Sequence, residues 1–186
     1  MSQPLRVLVA DERGRPAAAG LARWLARVAP SRVRGTVNIA MVSDATVRAL
    51  NQRYRGVDDA TDVLSFPVEP PPRTRRTRGA ESLPWRQGTS ASPASSASSS
   101  LFLGDIVIAQ GVARRQARAA RHAEAIEHRV LALHGLLHLI GYDHERDDGR
   151  MRRVEQRLRR KGRLREGLIE RAGAPRPAAG GRARNR

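Results

Sequence analysis

Three histidines in one short stretch carry the chemistry of this chain. His134 and His138 stand four residues apart, and on a helix that spacing puts both imidazoles on one face, about one turn apart. Gly141 follows where a helix can stop, because glycine enters a left-handed turn without a side-chain clash. Such a turn can swing His144 back toward the other two. Three imidazoles would then converge on one point with a fourth position open, the arrangement of a catalytic zinc rather than a structural one. Neutral nitrogen donors leave the ion's double charge intact, so it strongly polarises water or a phosphoryl oxygen. His134, His138 and His144 therefore read as ligands of one Zn(2+) per chain, although nickel, cobalt and copper accept the same donors. His122 and His128 stand alone in the pattern and read as ordinary surface or capping groups.

The same spacing excludes something. It matches the histidine and glycine positions of the zinc protease pattern H-E-x-x-H-x-x-G-x-x-H, but the residue after the first histidine is Gly135. Those proteases carry their general base there, a glutamate. A peptidase of that type is not expected. Either the metal does most of the activation, or another carboxylate such as Asp105 or Asp143 accepts the proton. Asp143 also reads as a turn former or as a residue orienting a histidine. Asp105 reads equally as a structural group at a strand start.

The string His134-Gly135-Leu136-Leu137-His138-Leu139-Ile140-Gly141-Tyr142-Asp143-His144 resembles the signature of the YbeY-type endoribonucleases, the ribosomal RNA maturation factors of bacteria. Two less specific blocks upstream resemble the same family in the same order. They are Leu50-Asn51-Gln52-Arg53-Tyr54-Arg55 with Thr61-Asp62-Val63-Leu64-Ser65-Phe66-Pro67, then Leu103-Gly104-Asp105-Ile106-Val107-Ile108. The resemblance implies an α+β single domain, a small mixed sheet of about four strands packed with about five helices. It implies a single-strand-specific, zinc-dependent endoribonuclease acting in maturation of the 3′ end of small-subunit ribosomal RNA and in ribosome quality control. Single-stranded RNA and the ribosome or its proteins would be the partners.

The resemblance also singles out Arg55, whose counterpart in the family is regarded as functionally important. A guanidinium fork suits phosphate oxygens, so Arg55 is the candidate phosphate contact. On the plainer reading it pairs with a nearby carboxylate such as Asp58 or Asp62. Thr61 and Ser65 offer further hydroxyls. Two other function classes stay open: a divergent zinc hydrolase such as a peptidase, and a non-enzymatic ribosome assembly factor whose metal is structural.

The rest of the chain must position these groups. At 186 residues with 3% aromatics, one domain with a core of Leu, Val, Ile and Ala is expected. Cysteine is absent, which excludes disulfides and thiolate ligands. No apolar run reaches the roughly 18 residues of a membrane span, and the N-terminal residues lack a signal-peptide layout. A cytoplasmic setting without membrane contact is the expectation. The formal charge is +17, with Lys161 the single lysine among 35 basic residues; such a balance favours a polyanion such as RNA, and arginine-rich codon bias produces it too.

Apolar periodicity predicts strands at residues 5–10, 36–42, 63–66 and 103–109. Helices are predicted at 17–28, at 44–53 with Ser43 as N-cap, at 110–121, at 123–140 and at 148–160. The helix at 123–140 is expected to bury Ile126, Val130, Leu133 and Leu137 and to show His134 and His138 on the adjoining face. Residues 69–100, rich in Pro, Arg, Ser and Ala, are expected to form a disordered insertion in a domain spanning 1–170. Its cluster Arg73, Arg75, Arg76 and Arg78 is a further RNA-contact candidate, and Trp85 its one large apolar residue. Residues 171–186 are expected to be a disordered basic tail.

Overall fold

The computed structural model describes residues 4–68, 101–144 and 147–164. In chain order the elements are β1 (Arg6–Asp11), α1 (Leu21–Val28), β2 (Thr36–Val42), α2 (Asp44–Arg55), β3 (Val63–Pro67), β4 (Phe102–Ala109), α3 (Gln110–Ala119), α4 (Glu124–Leu139) and α5 (Arg150–Lys161). The strands form one mixed sheet in the order β1-β2-β4-β3. β1, β2 and β4 run parallel, and β3 closes the edge antiparallel to β4. The expected α+β architecture is what the chain adopts.

Alternation along the strands separates two apolar layers. Val37, Ile39 and Met41 of β2 and Ile106 and Ile108 of β4 face the larger core, shared with α1 and α4. Ala40, Val42, Val107 and Ala109 face the other way, toward Val47 and Leu50 of α2, with Leu64 of β3. α4 and α2 therefore lie on opposite faces of the sheet. The core is deepest around α4, where Leu131, Leu133, Leu136 and Leu137 are each at most 1% exposed. A helix apolar on nearly every side belongs inside the protein, so the single stripe read from the sequence understates how much of α4 is buried.

Several boundaries move for local reasons. Helix formation expected from residue 17 begins at Leu21, after Gly20 at φ +81°. The preceding residues are drawn back onto β1, with the Ala17 amide donating to the Val9 carbonyl at 3.3 Å. α3 stops short of Arg121, which has φ +55°, and α5 starts after Gly149 at φ +76°. Ser43 does cap α2, its hydroxyl accepting from the Thr46 amide at 3.2 Å. Tyr54, which the spacing groups with Val47 and Leu50, is instead 49% exposed and lies edge-on against Phe66 of β3, with centroids 5.1 Å apart.

Two contacts hold α5 against α1. The Trp24 indole N–H donates to the Gly162 carbonyl at 3.1 Å, and the Lys161 ammonium donates to the carbonyls of Val28 at 3.2 Å and Ala29 at 3.3 Å. A cation on the last carbonyls of a helix offsets the negative end of its dipole. Among the described residues no helix is long and apolar enough to cross a membrane. The insertion at 69–100 with its arginine cluster and Trp85, and the tail at 171–186, lie outside the described residues.

Candidate metal centre

α4 ends in a turn that the sequence fully specifies. Gly141 takes φ +88°, its amide donates to the His138 carbonyl, and the Tyr142 amide donates to the Leu137 carbonyl, both at 3.0 Å. These two bonds define the Schellman ending of a helix, which satisfies carbonyls the helix leaves unpaired. The chain folds back, and His144 returns over His134 and His138. Ring centroids are 4.8 Å apart for His134 and His138, 5.6 Å for His134 and His144, and 5.3 Å for His138 and His144. One nitrogen of each ring lies within 4.8 Å of the others.

The donor set fits a divalent metal. The Nε2 atoms of His134 and His138 are 3.1 Å apart, close to the roughly 3.3 Å between two nitrogens at zinc distance on one tetrahedral ion. His134 is buried, His138 half-buried and His144 exposed, so the centre opens to solvent on the His144 side. Burial, reinforced by the neighbouring His134 and His144, pushes the His138 pKa down to about 4, against an opposing effect of Asp143. His138 is thus a neutral ligand at physiological pH.

Behind His134 lies a buried network that sequence reasoning missed. Glu155 of α5 sets an Oε1 atom 3.6 Å from His134 Nδ1, and the same oxygen accepts from the Arg159 guanidinium at 2.6 Å. Glu155 is 7% and Arg159 2% exposed. Burial alone would push the Glu155 carboxyl up, but His134 and Arg159 together hold it below the ordinary carboxylate range. A signal existed. Glu155 falls between Met151 and Leu158 at helical spacing, on the inward side of α5, and a carboxylate on an apolar face needs a partner. In a segment as charged as Arg-Met-Arg-Arg-Val-Glu it is easily taken for surface.

The other candidates separate by face. A Cβ at Gly135 would meet Ile106 Cγ2 at 2.8 Å and Ser65 Oγ at 3.0 Å. The position where zinc proteases carry glutamate thus points into the sheet here, and packing excludes any carboxylate there. Ser65 donates to the Gly135 carbonyl at 3.3 Å and Thr61 to Asp62 at 3.2 Å, so both hydroxyls have partners within the fold. Asp105 is buried and accepts from the Asn38 amide at 3.1 Å. Strand alternation puts it with Val107, on the face away from α4, which favours its structural reading. Asp143, by contrast, acts electrostatically on His138.

Arg55 ends α2, whose buried residues Val47 and Leu50 pack on the other face of the sheet, and its own side chain is exposed. Neither expected carboxylate takes it: Asp58 is held by Arg48 at 2.6 and 2.7 Å, and Asp62 by Gln116 at 2.9 Å. His122 and His128 stay out of the histidine cluster. They are not surface groups, however. The side chain of His122 is 9% exposed and lies 2.9 Å from Glu127, and that of His128 is 12% exposed and lies 3.5 Å from Glu124.

The family profile for Endoribonuclease YbeY matches residues 18–162, a stretch that takes in β2, β3, β4, all five helices and all three histidines. The chain belongs to the YbeY family. Proteins called Endoribonuclease YbeY share this sequence over most of its length. That of an Anaeromyxobacter species is 40% identical over 176 residues, covering 90% of this chain and 76% of the relative. One from Helicobacter pylori is 37% identical over 137 residues, covering 74% and 79%. A solution structure of a Thermotoga maritima protein aligns with a TM-score of 0.47 at 23% identity, covering 85% of this chain and 88% of that one.

Proposed function

We propose that this YbeY-family chain is a metal-dependent endoribonuclease that cuts single-stranded RNA, with one zinc held by His134, His138 and His144. The single observation that carries this is the convergence of three imidazoles on one point, closed by the Gly141 turn and open to solvent beside His144. In such a site the metal supplies a Lewis acid for phosphodiester hydrolysis. The chain's own part is to hold the three rings and present the RNA. With Gly135 packed on the sheet and Asp105 on its far face, Asp143, which acts electrostatically on His138, is the better of the two candidate carboxylates for taking a proton. Arg55, exposed and without an ion pair among the described residues, is available to hold a phosphate, where a fork gives bidentate contact. The cellular reading is maturation of the 3′ end of small-subunit ribosomal RNA and ribosome quality control, in the cytoplasm, with the ribosome or its proteins as partners.

The test is cleavage by zinc-loaded protein of a single-stranded RNA, the same RNA as a duplex, and casein, each with and without chelator. Chelator-sensitive cutting of the single strand alone is expected. Digestion of casein would move the chain to another class of zinc hydrolase. Absence of any cleavage, with chelator lowering the melting temperature, would favour an assembly factor whose metal is structural.

A further inference from the structure

We propose that Glu155 is a positioning residue of the metal centre, accepting the Nδ1 proton of His134 so that Nε2 faces the ion, with Arg159 anchoring the carboxylate. The inference rests on the metal reading above but concerns the support behind it. Three observations carry it. His134 Nε2 already faces His138 Nε2 at 3.1 Å, which leaves Nδ1 as the nitrogen turned away from the ligand point. That Nδ1 is buried and has no hydrogen-bond partner among the described residues, while Glu155 Oε1 stands 3.6 Å from it. A small rotation of the ring therefore closes a hydrogen bond that the buried nitrogen otherwise lacks. Finally, Glu155 cannot drift toward solvent, because Arg159 grips the same oxygen at 2.6 Å inside the protein.

The order Arg159, Glu155, His134, metal gives each group one task. A carboxylate on the outer nitrogen of a liganding histidine sets its tautomer and ring angle and makes the inner nitrogen a better donor. The arginine balances the carboxylate, so the network adds little net negative charge to the centre. α5 can serve this purpose because Trp24 and Lys161 fix its C-terminal end on α1. The competing account is that Glu155 and Arg159 are a buried ion pair, four residues apart on one helix, whose closeness to His134 is incidental.

Zinc affinity of the full chain, measured by competition with a chromophoric chelator, separates the two. Glu155→Gln keeps the size and weakens the acceptor, but leaves Arg159 buried and unbalanced, which by itself destabilises. The double variant Glu155→Met with Arg159→Met removes both charges together and is the variant expected to stay folded. Both variants should bind zinc about 10- to 100-fold more weakly, while the zinc-free double variant melts near the parent. Zinc affinity within about twofold of the parent in the folded double variant overturns the inference. A measurement on the unmodified protein stands beside these. In nitrogen-15 imidazole spectra of the zinc-loaded chain, His134 should carry an exchange-protected proton on Nδ1. Zinc on Nδ1 with the proton on Nε2 would overturn the proposal without any variant. Should the parent take up no zinc, the metal reading itself fails; unchanged affinity in the variants removes only the role of Glu155.

Discussion

His138 shows how one side chain's surroundings set both ligand and stability behaviour. Its pKa is about 4 in the folded chain against 6.5 for a free imidazole. As pH falls from 6.5 toward 4, the unfolded chain binds a proton that the folded one refuses, so folding stability falls with pH across that window. The metal-free protein should melt at lower temperature as the buffer is acidified through this range, and His138→Gln should flatten the dependence. A slope unchanged in that variant would assign the acid sensitivity elsewhere. His138→Ala should also abolish stoichiometric zinc uptake, read by metal analysis; full zinc content would remove it from the ligand set. Arg55 makes the opposite test, because it is exposed and unpaired among the described residues. Arg55→Ala should keep the melting temperature and the zinc. It should slow RNA cleavage by the value of a charge-assisted hydrogen bond, about 1.5–3 kcal/mol, and Arg55→Lys should recover only part. A fully active Arg55→Ala enzyme would take Arg55 out of substrate contact. At this scale the three histidines were legible because their spacing is itself a geometry, whereas Glu155 was not: its partner His134 lies on another helix.

α4 is the element on which the site depends, and two glycines do different work in it. Gly141 has open space around an added Cβ but a φ of +88°. Gly141→Ala therefore carries only a backbone penalty, about 1–2 kcal/mol, and should weaken zinc binding because the turn that returns His144 is strained. Gly135 is helical but pressed on Ile106 and Ser65. Gly135→Ala must lift α4 from the sheet, and overpacking of this kind costs about 1–3 kcal/mol. Denaturant titration of both zinc-free variants checks the ranking; a neutral Gly135→Ala would mean that the helix has room the structure does not show. Sequence periodicity found every helix and strand of the described residues. It missed where helices begin, since those points depend on Gly20 and Gly149 in left-handed conformation and on Ala17 bonding back to β1.

Over the whole molecule, charge and the segment at residues 69–100 are the remaining levers. With a formal charge of +17, RNA binding should weaken steeply with salt, with a log–log slope of about −0.7 per phosphate contacted on a single strand. Arg55→Ala should make that slope shallower by about one such contact; an identical slope would show that Arg55 touches no phosphate. The ends that flank residues 69–100 are already paired, Pro67 opposite Gly104 and the Val68 amide on the Leu103 carbonyl at 3.2 Å. A short Gly/Ser linker can therefore join them. Such a replacement should keep cooperative melting within a few degrees of the parent, as surface changes usually do. Loss of the cooperative transition would show that the segment belongs to the folded domain.

What the sequence determined by itself is local in origin. Helical spacing of His134 and His138, the glycine that lets the chain turn at 141, and the alternation of apolar residues along the strands are all properties of neighbours in the chain. The tertiary structure alone decided what distance along the chain conceals. It set Asp105 and the buried side of α2 on the face of the sheet away from the histidines and packed Gly135 so that no base can stand there. It also carried Glu155 from α5 to the back of His134. Those outcomes depend on which helix lies on which face of the sheet, and that is settled by packing of the whole core rather than by any segment of it.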